Sequence, residues 1–186
     1  VFFVYLCFRK EYKLEFLAGI IRRFRASFPK IGFLLVGTST RELPPLMKFL
    51  GRERLEDAVY VTGSLPHDLF LTLMERSLAY IRLPLTDGVC ASVMEGLSLK
   101  VPVLASDNGT RPPGVELWDE GDADRLLELM TRAATARETL VARIPPVIAE
   151  DNTGRLADHI EQVCCSAGTQ FSDAAFEVSS SRRVGS

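Results

Sequence analysis

Leu83-Pro-Leu-Thr-Asp-Gly-Val-Cys-Ala-Ser-Val-Met-Glu-Gly-Leu-Ser-Leu-Lys-Val-Pro-Val-Leu-Ala-Ser-Asp-Asn-Gly-Thr110 is the stretch that decides the fold. The apolar run from Leu78 to Leu83 leads into it as a short strand, and the dipeptide Asp87-Gly88 breaks the run. Ala91 to Leu99 carries apolar residues at helical spacing, and Val101 to Ala105 reads as a second apolar strand. Together these make half a βαβ unit with a polar loop at the carboxyl end of its strand. In an open α/β sheet, a helix starting at such a loop points unpaired N–H groups and the positive end of its dipole into a crevice. A phosphorylated ligand is the first expectation.

Two carboxylates bracket the loop: Asp87 within it and Glu95 on the helix that follows. Carboxylates accept hydrogen bonds from vicinal hydroxyls, whereas the N–H groups of Val89, Cys90, Ala91 and Ser92 suit a phosphate. Sugar and phosphate together point to a nucleotide-sugar. The same residues also carry a purely local reading. Asp87-Gly88 is a common turn dipeptide, and Ser92-x-x-Glu95 has the spacing of a capping box in which Glu95 closes the helix start.

Upstream, Val1 to Phe8 is a continuous apolar and aromatic run, consistent with a strand buried on both faces. The charged loop Arg9-Lys-Glu-Tyr-Lys13 follows, then a helix marked by Phe16, Leu17, Ile20, Ile21 and Phe24. Gly32 to Val36 is the next strand and leaves through the crevice loop Gly37-Thr-Ser-Thr40. Pro44 and Pro45 suit a helix's first turn, with Leu46 to Leu55 helical behind them. Ala58 to Thr62 is a third strand, and Gly63-Ser-Leu-Pro66 turns into a helix from Asp68 to Arg76, with His67 as an exposed or capping residue at its start. Five strands alternating with helices imply an α/β domain, a Rossmann-like parallel sheet with helices on both faces.

Downstream, Asp107 to Pro113 is turn-rich, and its Arg111 is within reach of a phosphate or carboxylate in the crevice. Gly121-Asp-Ala-Asp124 resembles a metal-binding acid pair, but it opens a helix, so Asp122 reads as an N-cap and Asp124 as a complement to the dipole. Helices are expected at Asp124 to Ala134 and Ala136 to Ala142, before Pro145-Pro146 breaks the chain. Residues 1–150 form the domain, 151–166 a last amphipathic helix, and 167–186 a flexible Ser-rich tail.

The pattern Pro84-x-x-Asp87-Gly88 followed by Glu95-Gly-Leu-Ser-Leu-Lys-Val-Pro-Val-Leu-Ala-Ser106 resembles the carboxylate-x7-Glu signature of the GT4-type retaining glycosyltransferases (glycosyl transferases group 1). The likeness runs in order from Val1 to Leu127 and includes Gly32-Phe-Leu-Leu-Val-Gly37 and Val59-Tyr-Val-Thr-Gly63. It implies the carboxy-terminal, donor-binding half of a GT-B fold, a metal-independent hexosyltransferase with no cofactor beyond its nucleotide-diphosphate-sugar donor. It also implies roles. Arg9 and Lys13 clamp the donor diphosphate together with Val89, Cys90, Ala91 and Ser92. Ser64 and Leu65 lie beside the base, Glu95 holds the ribose, and Asp87 holds a hydroxyl of the transferred sugar, so that Asp87 and Glu95 are the catalytic pair. Gly37 and Arg111 are further possible contacts. The chain departs from the family in having Asp87 for Glu, Val89-Cys90 for Phe-Gly and Phe8-Arg9 for Gly-Arg.

The acceptor-binding, amino-terminal domain of that family is the expected missing partner, so the 186 residues are expected to bind a nucleotide-sugar with little transfer of their own. Two alternatives stay open: a non-catalytic module that binds nucleotide-sugar or supports a partner, and half of a nucleotide-sugar epimerase. The formal net charge of −2 gives no electrostatic case for nucleic acid. Arg22, Arg23, Arg25 and Lys30 read as a solvated face, with peripheral contact to an anionic membrane as the alternative. The four cysteines have neither metal nor redox spacing, and no apolar run approaches eighteen residues. A cytoplasmic location follows as the expectation. There is no Gly-x4-Gly-Lys-Ser/Thr and no Gly-x-Gly-x-x-Gly, which sets aside P-loop and dinucleotide readers.

Overall fold

The computed structural model describes residues 1–7, 9–146, 157–159 and 162. The chain divides into two compact units, Val1–Val147 and Ile148–Ser186. In the second, 157–159 and 162 are helical; the tail at 167–186 and most of the expected helix at 151–166 lie outside the described residues, as does Phe8. Among the described residues no helix is long and apolar enough to cross a membrane.

The first unit is a six-stranded sheet in the order β3-β2-β1-β4-β5-β6, with every pairing parallel. Its strands are β1 (Phe2–Tyr5), β2 (Phe33–Val36), β3 (Val59–Val61), β4 (Tyr80–Arg82), β5 (Val103–Ser106) and β6 (Val115–Trp118). Between and after them run α1 (Leu14–Ser27), α2 (Leu43–Arg52), α3 (His67–Glu75), α4 (Ala91–Ser98), α5 (Ala123–Thr135) and α6 (Arg137–Val141). The central strands are apolar except for Arg82 and Ser106 at the carboxyl ends of β4 and β5, because alternate side chains enter two different cores. Phe2, Val4, Phe33, Leu35, Ile81 and Leu104 pack with the buried faces of α1, α2, α5 and α6. Phe3, Leu34, Val36, Tyr80 and Val103 pack with those of α3 and α4. Helices therefore cover both faces, as the alternation of strand and helix patterns leads one to expect.

Winding reverses between two neighbours. From β1 the chain steps through β2 to β3 on one side, and from β4 through β5 to β6 on the other. The loops leaving β1 and β4 at their carboxyl ends consequently diverge, which opens a crevice there.

Some elements differ from expectation. The sheet has a sixth strand, β6, in parallel register with β5 from Val103↔Val115 to Ser106↔Trp118. It is an edge strand whose middle residue is charged: Glu116 meets Arg143 at 3.1 Å, Arg132 at 3.8 Å and Arg125 at 4.0 Å, and Leu117 is exposed. A strand buried on one side only and carrying a carboxylate has no apolar run to announce it. Helix α2 spans Leu43–Arg52 and so ends three residues before the expected Leu55, while both prolines fall in its first turn as expected, where their missing N–H groups cost no helical bond. The first strand spans Phe2–Tyr5, shorter than the apolar run that predicts it. Asp122 does cap α5, accepting from the Arg125 amide at 2.9 Å.

Helix α4 sits close against the sheet because Gly96 has no side chain. A Cβ there would stand 2.9 Å from Val103 Cγ2 and 3.4 Å from Met74 Sδ. Overpacking costs about 1–3 kcal/mol, against the roughly 1 kcal/mol that alanine gains over glycine in a helix. Gly96→Ala is expected to lower stability by about 1 kcal/mol in urea unfolding; a rise in the midpoint would show that α4 has room to move away from β5.

Candidate functional site

A cleft of about 400 Å³ lies at the carboxyl ends of β1 and β2 and the start of α4, the helix that follows β4, beside the β1–β4 boundary where the winding reverses. Tyr5 and Gly37 form its floor, Ser64 and Leu65 enter from the turn after β3, His67 and Phe70 from α3, and Cys90, Ala91, Ser92 and Glu95 from the start of α4. Gly37 is imposed by geometry. Its φ of +100° lies in the left-handed region, and a Cβ would come within 2.3 Å of the Tyr5 ring.

The amino end of α4 faces this cleft, but by a different device from a capping box. The N-cap is Cys90, with no side-chain cap bond, and Ser92 is already the second helical residue. The Ser92 hydroxyl lies 2.7 Å from the Tyr80 hydroxyl and 3.1 Å from Cys90 Sγ, so it serves a buried tyrosine instead of the helix end. Burial holds the Tyr80 phenol well above its usual value, so it stays neutral. Glu95 turns away from the helix start, and its Oε1 stands 3.3 Å from His67 Nε2. The Cys90 N–H donates to the Asp87 carbonyl at 3.3 Å, which removes one of the four amides expected for a phosphate. Ala91 and Ser92 occupy the first turn, where N–H groups have no intrahelical acceptor. Val89 is 54% exposed and does not line the cleft.

Asp87 faces inward. Its Oδ2 accepts from Arg82 Nε at 2.6 Å, and its Oδ1 lies 2.9 Å from Arg111 Nη2. Arg82 is 5% exposed, with its guanidinium over the rings of Tyr5 at 5.3 Å and Tyr12 at 5.4 Å. Arg111, its side chain 1% exposed, also donates to the carbonyls of Pro84 at 2.7 Å, Ser106 at 3.1 Å and Gly88 at 3.4 Å. Burial pushes the Asp87 carboxyl up, but the Arg82 bond and charge and the Arg111 charge outweigh it and hold the group below the usual carboxylate range. Asp87 does not line the cleft, and the carboxylate that Arg111 reaches is that of Asp87; the two residues pair and fasten residues 84–88 to the end of β5.

The basic pair stands at the carboxyl end of β1 yet outside the cleft lining. Lys13 precedes α1 in a left-handed conformation, φ 46°, and its ammonium is paired with Glu120. Arg9 is exposed at the start of the 3-10 turn Lys10–Tyr12. The structure thus brings Glu95, Ser64, Leu65, Gly37, Cys90, Ala91 and Ser92 together and leaves Arg9, Lys13, Val89, Asp87 and Arg111 beside or beneath them. Tyr5, Arg82 and the His67 contact escaped the sequence reading. Only Arg82 left a signal, as a lone charge inside the apolar run from Leu78 to Leu83. Among the described residues no group of three His, Cys, Asp or Glu side chains is placed to hold a metal ion.

A parallel α/β sheet with a cleft at its reversal point is a Rossmann-like domain, and its build is that of the domains of GT-B glycosyltransferases. No family model matches the chain. A 94-residue stretch, 50% of this chain, is 27% identical to glycosyltransferase 1 domain-containing protein 1 of Xenopus tropicalis and covers 26% of that protein. Among solved structures, the α,α-trehalose 6-phosphate synthase of Burkholderia multivorans matches with a TM-score of 0.66 and 16% identity over 98% of this chain and 45% of that one. The C-terminal domain of a glycosyl transferase group 1 family protein from Francisella tularensis matches with a TM-score of 0.63 and 12% identity, over 77% of this chain and 78% of that one. The pneumococcal O-GlcNAc transferase GtfA, solved with UDP and GlcNAc, matches with a TM-score of 0.64 and 12% identity over 87% of this chain and 35% of that one. The chain therefore spans about a quarter of its curated relative and resembles glycosyltransferases in fold.

Asp87→Asn leaves two nearly buried guanidinium groups without their anion. Breaking a buried pair costs about 3–5 kcal/mol, and a loss near the lower end is expected in urea unfolding because the Asp87 side chain retains 17% exposure. The sign with pH follows from the depressed carboxyl. Its contribution is fully present above the unfolded value of about 4 and is lost as pH falls through the lower folded value. The wild-type acid limb is expected to be steeper than that of Asp87→Asn; coincident limbs would show that the carboxylate is unperturbed.

Proposed function

We propose that the cleft binds a nucleoside-diphosphate sugar, and that this chain is the donor-binding domain of a retaining, metal-independent hexosyltransferase. The observation that carries this reading is the meeting of Glu95 with the first turn of α4 and the turn after β3 in one hollow. The Ala91 and Ser92 amides, at the positive end of α4, face the diphosphate. Glu95 accepts from the ribose hydroxyls, and Ser64 and Leu65 flank the base. Gly37 lets the backbone approach the ligand closely.

Arg9 and Lys13 supply positive charge as the diphosphate departs, an electrostatic role that needs no metal. Lys13 has to leave Glu120 to do so. Both partners are partly exposed, with side chains 32% and 56% accessible, and such a pair is worth roughly 0–1 kcal/mol. A charge-assisted bond to a diphosphate outweighs that. Asp87 acts on the donor through the loop it fastens and not through a direct contact. The acceptor site belongs to a second domain, so these residues alone bind donor without robust transfer, on the cytoplasmic side of whatever membrane the whole protein meets. A second reading, a non-catalytic module that binds nucleotide-sugar, is favoured by one observation: Asp87 and Arg111 are engaged with each other.

Calorimetry against UDP, GDP, ADP and their sugars separates these outcomes, with UDP first because a neighbour of the same fold was solved with it. At least one is expected to bind, and Glu95→Ala is expected to weaken binding about tenfold or more while leaving stability unchanged, since Glu95 caps no helix. Silence across the panel contradicts nucleotide binding. Unchanged affinity in the variant contradicts the role of Glu95.

A further inference from the structure

Glu95 carries the ribose contact in the reading above, yet a glutamate on the fifth residue of a helix is a loose ligand. It has three rotatable bonds, and fixing such a side chain costs rotamer entropy. Its side chain is 29% exposed, so packing alone does not hold it. The contact it makes crosses the cleft: Oε1 stands 3.3 Å from Nε2 of His67, the first residue of α3. The His67 ring lies nearly parallel to that of Phe70, at 10° and 6.2 Å between centroids, and Phe70 is itself 8% exposed and packed in the core. Both His67 and Glu95 line the same hollow as Ser64 and Leu65.

We infer that His67 is a positioning residue for the nucleotide's ribose: from α3 it holds one oxygen of the Glu95 carboxylate and so aims the other at the vicinal hydroxyls. This rests on the nucleotide-sugar reading and deepens it. A carboxylate offers about four acceptor positions on two oxygens, so the imidazole N–H and a diol fit on it together. The imidazole comes from α3 and the carboxylate from α4, so their contact limits the rotamers open to Glu95 even though the His67 ring is itself largely exposed. The order that His67 imposes before binding is order the ligand no longer has to impose, which is how a group that never touches the ligand raises its affinity. The arrangement also joins the two walls of the cleft, because the base-side turn after β3 runs directly into His67.

The experiment is calorimetry on the 186-residue chain with whichever of UDP, GDP or ADP binds, alongside the 2′,3′-dideoxy form of the same diphosphate. His67→Ala is expected to weaken the ribonucleotide about tenfold and leave the dideoxy form unchanged, with His67→Gln, which keeps an N–H of similar reach, recovering most of the loss. Thermal midpoints of both variants are expected to match wild type, since the His67 side chain is 67% exposed. Equal loss on both nucleotides would make His67 a support for the cleft wall or a base contact and overturn the inference, as would no loss on either. If wild type binds no member of the panel, the nucleotide reading itself fails and takes this one with it; that result differs from a wild type that binds and a variant that is indifferent.

Discussion

The Asp87 carboxylate, held between Arg82 and Arg111, is the contact on which the geometry of the site depends. Arg82 comes from inside β4, Asp87 from the loop that leaves it, and Arg111 from the far side of β5. One anion therefore ties the end of β4 and the loop that leaves it to the loop after β5. A buried ion group of this kind adds little net stability over apolar residues of similar volume, but breaking it is costly. Its effect is to specify one course for residues 84–88, and that course delivers Cys90 to the start of α4. Ala91 and Ser92 line the cleft at the end of the loop that these contacts fasten.

Around that lock the molecule arranges two kinds of polar group. Those beneath the cleft are paired: Arg82 with Asp87 and the rings of Tyr5 and Tyr12, Tyr80 with Ser92, and Arg111 with three carbonyls. Those at the surface of the cleft are loosely held or partly exposed, namely Glu95, His67 and the first turn of α4. The division is what a binding site on a rigid base requires. Paired buried groups favour one state of the scaffold, and the groups at the helix end stay accessible, as the proposed donor site needs.

Much of the fold was legible in the sequence because a parallel sheet covered on both faces imposes uninterrupted apolar runs, and Phe2 to Tyr5, Phe33 to Val36 and Val103 to Ala105 obey that rule. The edge strand β6 was not, since Glu116 and the exposed Leu117 break its pattern. Of the site, the hollow and most of its lining were legible: Gly37, Ser64, Leu65, Glu95 and the α4 start all follow strand ends on one side of the sheet. Spacing does not reveal which way a loop side chain turns. Asp87 and Glu95 look alike in the sequence; a guanidinium inside β4 draws the first inward, and the second lines the cleft 3.3 Å from an imidazole at the head of α3. The Ser92-x-x-Glu95 spacing misled for the same reason, because Tyr80 competes for the serine hydroxyl and wins.

The central claim is that the hollow where the sheet reverses its winding is where a nucleotide sits. Titrating the 15N-labelled chain with UDP, GDP and ADP while following backbone amide shifts tests it most directly. For the nucleotide that binds, saturable shifts are expected at Gly37, Ser64, Leu65, Ala91 and Ser92, with residues at the amino ends of the strands unmoved. Saturable shifts clustered at those amino ends, or along α5 and α6, would place the ligand elsewhere and contradict the claim.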